Sequence, residues 1–265
     1  MFHHVNLEYH QQIATITINR PAKLNALSEG AFLELRQVLR DLLDNQDIRV
    51  VVLKGSGKIF CAGGDIDFFT ELAQQPPLER SVAAHQYVGL AHEVLELFTL
   101  LPVPLLVAVQ GAAAGYGLSL CCIADIVIAA TGSRFVPAYL GLGVTPDGGL
   151  SYNLPRLIGE RRASDMLLNN RSIVADQAEQ WGLITRIVDF DELDNETLQQ
   201  AQKLASGPGM ATKNTLGLLR NEHHLNELKK SLSAELESFS TCVQAEDFVE
   251  GVIAFRDRRQ PNFSQ

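Results

Sequence analysis

Short apolar runs separated by longer amphipathic stretches make up the first two-thirds of the chain. Residues 13–18 alternate in polarity, and this period of two predicts a β-strand. Continuous apolar runs predict further, buried strands at 48–53, 105–109 and 125–129. Apolar residues at helical spacing predict helices at 28–44 and 78–100, and a polar stretch predicts a loop at 59–77. The repeated β–α–β order predicts an α/β fold.

The last quarter of the chain has a different pattern. Strand signals end after 183–188, and helices are predicted at 191–206, 208–220 and 225–256. We therefore expect two regions, an α/β core at 1–195 and a C-terminal helical region at 196–265. The apolar faces of these helices have no further strands to cover, so they need another surface to pack on. We therefore predict that the C-terminal helical region takes part in oligomerisation.

Composition and charge narrow the classes of protein that fit. The 265 residues are 46% hydrophobic and 20% charged, as in an ordinary globular protein, and the formal net charge is −9. No run of Lys and Arg appears, which argues against nucleic acid as a partner. Apolar runs are too short for a membrane span, and residues 1–20 lack a signal-peptide pattern. Four cysteines without metal-ligand spacing predict buried thiols in a cytoplasmic protein without a metal.

Two Gly-rich turns carry the strongest functional signal. VVVLKGSGKIFCAGGDI spans 50–66 and LLVAVQGAAAGYGLSL spans 105–120, each beginning with an apolar strand. Glycine lets a backbone approach a ligand closely, and a helix that starts in the second turn points free N–H groups outward. Two such turns side by side would aim a pair of donors at one oxygen, which is the geometry that stabilises an oxyanion.

Four motifs in order resemble the crotonase (enoyl-CoA hydratase/isomerase) superfamily: NRPAKLNAL at 19–27, FCAGGDI at 60–66, QGAAAGYGLSL at 110–120 and LGLGVTPDGGLSYNLPRLIG at 140–159. The pattern is most similar to the enoyl-CoA isomerases and the isomerases of phenylacetate catabolism. The resemblance implies a spiral of ββα units with a C-terminal helical region. It also implies an acyl-CoA substrate, no cofactor beyond the CoA of that substrate, and a homotrimer or a dimer of trimers.

The resemblance also implies binding residues. The backbone donors of the oxyanion hole fall on Gly64 and Tyr116, and the Tyr116 side chain would narrow the acyl pocket. The CoA-binding positions fall on Lys23, Leu24, Ala26, Ala62, Asp65, Ile66 and Phe255. Two of these have a structural alternative, because Lys23 could be a solvated loop residue and Asp65 could cap the helix that follows.

The catalytic carboxylates depart from the family's hydratase pattern. The two glutamates that hold a water in those enzymes fall on Ser119 and Tyr139, which we expect to line the pocket. Neither is a carboxylate base at neutral pH. One acid remains near the predicted site, Asp147, at the position where some isomerases of the superfamily carry their base. The alternative for Asp147 is an N-cap of a helix beginning near Gly148.

The residues therefore favour an isomerase that shifts the double bond of an enoyl-CoA from the 3- to the 2-position. Asp147 would be the base. Three alternatives stay open: a hydratase, a catalytically silent acyl-CoA-binding subunit and, more remotely, a serine hydrolase using Ser119. The acyl group is also open, with straight-chain and phenylacetate-derived thioesters both compatible.

Overall fold

Two β-sheets form the scaffold of the computed structural model, which describes residues 2–263. The strands, in chain order, are β1 (Val5–His10), β2 (Ile13–Ile18), β3 (Val50–Gly55), β4 (Leu105–Val109), β5 (Ala112–Ala114), β6 (Ile126–Ala130), β7 (Arg134–Val136), β8 (Ile173–Val174) and β9 (Arg186–Val188). The large sheet has the order β1-β2-β3-β4-β6-β9, and the small one has the order β5-β7-β8. The pairs β1–β2 and β7–β8 are antiparallel, and the other pairs are parallel.

Helices fill the connections and most of the C-terminal third. They are α1 (Glu29–Asp44), α2 (Ile66–Leu72), α3 (Pro77–Leu100), α4 (Tyr116–Ile123), α5 (Leu150–Ile158), α6 (Glu160–Leu168), α7 (Ala175–Trp181), α8 (Leu193–Ala205), α9 (Gly209–Leu219), α10 (Glu222–Cys242) and α11 (Glu246–Arg256). The predicted α/β class is confirmed. No helix within residues 2–263 is both long and apolar enough to cross a membrane.

The large sheet is covered on both faces, which explains its continuous apolar strands. On one face, Val51, Leu53 and Val107 join the main core together with residues of α1 and α3. On the other face, Val50 and Leu106 belong to a smaller core that is closed by α8.

Several elements differ from the prediction. The predicted loop at 59–77 contains α2, and the single helix predicted at 225–256 is divided into α10 and α11. Strand β1 was not predicted, although its sequence VNLEYH alternates between apolar and polar residues; in the structure only one of its six residues is buried. Strands of two or three residues, such as β5, β7 and β8, are too short to produce a period.

The predicted division at residue 195 falls inside α8. Because Leu193 and Ala201 of this helix pack on the large sheet, α8 is part of the α/β core. The long helix α10 packs against α3 and α5 of the same chain. Oligomerisation through residues 196–265 stays a prediction.

Candidate active site

The two Gly-rich turns lie directly against each other. Cys61 and Ala113 form an isolated parallel bridge, in which the Ala114 N–H donates to the Cys61 carbonyl at 2.9 Å. Gly63 has a φ of +94°, and a Cβ there would lie 2.8 Å from the Ala114 carbonyl oxygen. The close approach of the two backbones therefore requires glycine.

A cleft opens beside this junction. Both predicted oxyanion donors, Gly64 and Tyr116, line it. Tyr116 is the first residue of α4, so its N–H has no acceptor inside the helix. Neither amide donates to another group among residues 2–263. Two unpaired amides that line one cleft are donors of the kind that an oxyanion hole uses.

The Tyr116 side chain is held rigidly beside its amide. Its hydroxyl donates to the Ala91 carbonyl of α3 at 2.6 Å, and its ring meets the Phe32 ring edge-on at 5.1 Å between centroids. The ring is buried and forms part of the wall of the cleft. This arrangement agrees with the expectation that Tyr116 narrows the pocket.

Asp147 is the one acidic side chain among residues 2–263 that lines the cleft. Its side chain does not cap a helix. The next helix, α5, begins at Leu150, and its N-cap residue is Gly149, which has no side chain to make a capping hydrogen bond. The N-cap interpretation of Asp147 is therefore wrong. Instead, the Tyr139 hydroxyl donates to Asp147 Oδ1 at 2.6 Å.

The surroundings of Asp147 weaken it as an acid. Burial raises the pKa of this carboxyl to about 7, the hydrogen bond from Tyr139 opposes the rise, and the negative charge of Glu235 adds to it. A carboxyl with a pKa near neutrality is able both to accept and to return a proton at physiological pH, as a general base must.

Ser119 and Tyr139, to which the resemblance assigns the hydratase glutamates, lie next to Asp147. Ser119 Oγ is 3.3 Å from the Tyr139 hydroxyl oxygen and donates to the Asp147 carbonyl at 3.0 Å. Tyr139 lines the cleft, whereas Ser119 is completely buried beneath it. Burial raises the pKa of the Tyr139 hydroxyl well above its usual value, so it stays protonated. No histidine hydrogen-bonds Ser119 among residues 2–263, which disfavours the serine hydrolase alternative.

The remaining predicted binding residues are only partly at the cleft. Ala62 and Ile66 line it, and Phe255 of α11 lies at its mouth, 58% exposed. Leu24 is exposed and Ala26 is buried, and both lie outside the lining of the cleft.

The two charged residues among the predicted binding residues, Lys23 and Asp65, make ion pairs and do not line the cleft. Lys23 Nζ lies 2.6 Å from Asp67 Oδ2 on the surface, and this pairing raises the pKa of the lysine. Asp65 is buried, accepts from the Asp67 N–H at 3.1 Å as the N-cap of α2, and pairs with Arg20 at 2.8 Å. The helix-cap interpretation of Asp65 is thus confirmed, and its side chain does not reach the cleft.

Sequence reasoning missed two groups at the site. The first consists of apolar residues in the wall of the cleft, whose sequence pattern is that of ordinary core residues: Phe32, Phe69, Tyr87, Leu142, Val144 and Phe239. The second consists of His92 on α3 and Glu235 on α10, which bind the backbone that follows Asp147. A signal for Glu235 was present, since it lies at the helical spacing of the buried Leu228, Leu232 and Phe239.

Removal of the Tyr139 hydroxyl should raise the pKa of Asp147. In Tyr139→Phe the carboxylate loses a hydrogen bond that favours its charged form, and we expect the pKa to rise by about one pH unit. Titration of the Asp147 carboxyl carbon by ¹³C NMR measures this. Tyr9→Phe, at an exposed position of β1, is the control and should change nothing. A constant or lower pKa in Tyr139→Phe would contradict the proposed contact.

Comparison of the chain with known proteins agrees with the geometry of the cleft. A model of the family described as Enoyl-CoA hydratase/isomerase matches residues 8–265. The chain belongs to this family. A solved structure of an enoyl-CoA hydratase from Mycobacterium avium subsp. paratuberculosis K-10 superimposes with a TM-score of 0.88, at 29% identity and 100% of both chains. The crotonase-like fold predicted from the motifs is therefore confirmed.

Named relatives of the enoyl-CoA hydratase/isomerase family carry both types of activity. The chain is 32% identical to a 1,2-epoxyphenylacetyl-CoA isomerase of Escherichia coli over 255 residues, 95% of each chain. It is 31% identical to a crotonyl-CoA hydratase of Syntrophomonas wolfei over 263 residues, 99% of this chain and 98% of the relative. The chain is thus an acyl-CoA-processing enzyme of this family.

Proposed function

We propose that the protein is an acyl-CoA isomerase that converts 3-enoyl-CoA into 2-enoyl-CoA. One observation carries the proposal: a single carboxylate, Asp147, lines a cleft that also exposes the unpaired amides of Gly64 and Tyr116 among the described residues 2–263. Isomerisation needs one base and an oxyanion hole. The relative named as an isomerase supports the same class of reaction.

In the proposed reaction, the thioester carbonyl oxygen binds between the two amides. The Asp147 carboxylate removes a proton from the carbon next to the carbonyl, and the electron pair moves into a dienolate whose oxygen carries the negative charge. The amides stabilise this charge. The proton then returns from the Asp147 carboxyl to the carbon two positions further along, which leaves the double bond conjugated with the carbonyl. No water takes part.

Hydration is the second candidate, supported by relatives that are named hydratases. The chemistry needs a water held and activated by two acids, and the corresponding positions are Ser119 and Tyr139. Their hydroxyls hydrogen-bond to each other and to Asp147, so they offer no second carboxylate. A silent acyl-CoA-binding subunit, the third candidate, would leave the raised pKa of Asp147 without a use.

The purified protein should convert 3-hexenoyl-CoA to 2-hexenoyl-CoA and hydrate crotonyl-CoA poorly or not at all. The first reaction is followed by the ultraviolet absorbance of the conjugated thioester, and 3-hydroxyacyl-CoA is quantified separately by chromatography. Efficient hydration of crotonyl-CoA would replace the isomerase proposal with the hydratase. Binding of both thioesters without turnover would favour the silent subunit.

The proposal includes a homotrimer or a dimer of trimers in the cytoplasm, with acyl-CoA as the ligand. Exposed apolar side chains on α9, such as Met210 at 74% and Leu218 at 77%, support a covered surface in an assembly. A straight-chain or a phenylacetate-derived acyl group is compatible with the apolar and aromatic walls of the cleft.

A further inference from the structure

The turn that carries Asp147 is held by side chains from distant parts of the chain. Gly148 and Gly149 both have left-handed backbone angles, with φ of +62° and +70°, and lead directly into α5. The first amides of a helix have no acceptor within it, and α5 has no side-chain cap of its own. The Gly148, Gly149 and Ser151 amides have their acceptors on α3 and α10, whereas the Leu150 N–H donates to the Asp147 carbonyl.

Glu235 of α10 supplies most of them. Its Oε2 accepts from the Gly149 N–H at 2.7 Å, and its Oε1 accepts from the Ser151 N–H at 2.9 Å and from the Ser151 hydroxyl. The side chain is 5% exposed, and burial raises its pKa while these three donors oppose the rise. Both carboxyl oxygens of Glu235 accept from backbone N–H groups, an arrangement that favours its ionised form. A carboxylate at the start of a helix also interacts favourably with the helix dipole.

His92 of α3 completes the support without contributing a positive charge. Its Nε2 accepts from the Gly148 N–H at 3.1 Å, which assigns the proton to Nδ1. Burial and, to a smaller extent, the nearby His85 lower the pKa of His92 to about 4. The ring is therefore neutral, and its 4.0 Å approach to Glu235 Oε2 is not an ion pair at neutral pH.

We propose that Glu235 is a positioning residue for Asp147: its carboxylate fixes the turn through two amides and places a second, uncompensated negative charge beside the base. The inference rests on the proposed role of Asp147 as the base. Two like charges in a buried site favour the protonated form of one of them. Glu235 thus makes Asp147 a stronger base than its burial alone would.

The other titratable groups facing the two carboxyls do not cancel this charge. They are Tyr87, Tyr116, Tyr139, His85 and His92. Burial raises the pKa of each tyrosine, so the hydroxyls stay neutral near pH 7. His85 lies against Ser240 of α10, with its Nδ1 3.5 Å from the serine Oγ. The variant His85→Gln, made in the wild type and in Glu235→Gln, keeps this imidazole out of the comparison.

The test compares Glu235→Gln with the wild type in the pH dependence of isomerase kcat/KM. Glutamine keeps the shape and an acceptor oxygen but loses the charge. We expect the acid limb of the profile to move to lower pH by about 0.5–1 unit, because the pKa of Asp147 falls. We expect kcat at the plateau to fall several-fold, with KM changed by less than about twofold.

Two further variants separate the charge from the packing. Glu237→Gln, at an exposed position of the same helix, should leave the profile unchanged. Glu235→Asp keeps the charge with a shorter reach, so its acid limb should stay close to that of the wild type even if the protein melts earlier. A purely structural role predicts that the Gln and Asp variants lose stability alike and that neither moves the acid limb, which would overturn the inference.

A measurement independent of catalysis keeps the inference separate from the proposed function. The Asp147 carboxyl carbon, assigned by its absence in Asp147→Asn, is titrated by ¹³C NMR in wild type and Glu235→Gln. A downward shift in an enzyme without isomerase activity would refute the function and support the inference. An unchanged Asp147 titration in an active isomerase would refute the inference and support the proposed function. If Glu235→Gln does not fold, the titration of the wild type decides. Two coupled carboxyls each show two inflections in their titration curves, whereas an independent carboxyl shows one.

Discussion

Replacing Asp147 by asparagine should lower isomerase kcat by about 10²–10⁴-fold. Asparagine is similar in size and keeps an oxygen for the Tyr139 hydroxyl, which donates to Asp147 Oδ1 in the wild type. It has no basicity, so the proton next to the thioester carbonyl has no acceptor. Because a base acts in the transition state, the dissociation constant for acyl-CoA should change little. Steady-state kinetics and calorimetric binding give the two quantities.

The same variant should be more stable than the wild type at neutral and alkaline pH. The folded-state pKa of Asp147 is about 7, above the ordinary 3.8, so the folded chain binds a proton more tightly than the unfolded chain does. The wild type therefore loses stability as pH rises from about 4 to 7. The asparagine side chain of the variant does not titrate, so its advantage should grow over this window and reach up to ~4 kcal/mol at about pH 8.

Thermal unfolding between about pH 5 and pH 8 measures this difference. Asp44→Asn, at an exposed position of α1, is the control for an aspartate-to-asparagine change outside the cleft. An Asp147→Asn protein that remains active and melts at a lower temperature would contradict both the catalytic role and the buried, destabilising charge. Function and stability are expected to oppose each other at this one residue, as is common where an active site buries a charge.

Gly117→Ala should lower kcat/KM by about 10²–10³-fold through displacement of the oxyanion hole. A Cβ at Gly117 would lie 2.6 Å from the Cys61 carbonyl oxygen and 2.9 Å from the Cys61 Cβ. These atoms belong to the neighbouring turn, so the two turns must separate. In the proposed oxyanion hole, the Gly64 and Tyr116 amides would then move apart. A backbone donor cannot be removed by changing its side chain, which is why a steric probe is used.

Gly89→Ala is the matched control for this substitution. Gly89 lies in α3, and a Cβ there meets no atom within 4 Å. Alanine should leave activity unchanged and stabilise the helix by ~0.5–1 kcal/mol. Circular dichroism shows whether both variants are folded. A folded Gly117→Ala protein with wild-type kcat/KM would contradict the two-amide oxyanion hole.

Elements with a strong local pattern were predictable. The apolar runs of β3, β4 and β6 marked buried parallel strands, and the periodic stretches of α1 and α3 marked helices. The short helix α2 was not predicted, because its seven residues lie in a polar stretch. Its N-cap, Asp65, was offered by the sequence only as an alternative to a binding role. The break between α10 and α11 has no proline or glycine to mark it, so the helical pattern continues through it.

The site residues divide in the same way. The two Gly-rich turns, the family motifs and the single acid at Asp147 are local in sequence and were identified from it. The placement of Asp65 and Lys23 was not, because each has an ion-pair partner whose position depends on how the loops pack, Arg20 for Asp65 and Asp67 for Lys23.

The sequence by itself determined the α/β class, the family and the chemical groups available: the backbone amides of two Gly-rich turns and one carboxylate. Only the tertiary structure decided what that carboxylate is able to do. Tyr139 reaches Asp147 from 8 residues away in the chain, and His92 and Glu235 reach the glycines of its turn from 56 and 86 residues away. A pKa depends on burial and on nearby charges, and both are properties of the packed chain that no local pattern of residues contains.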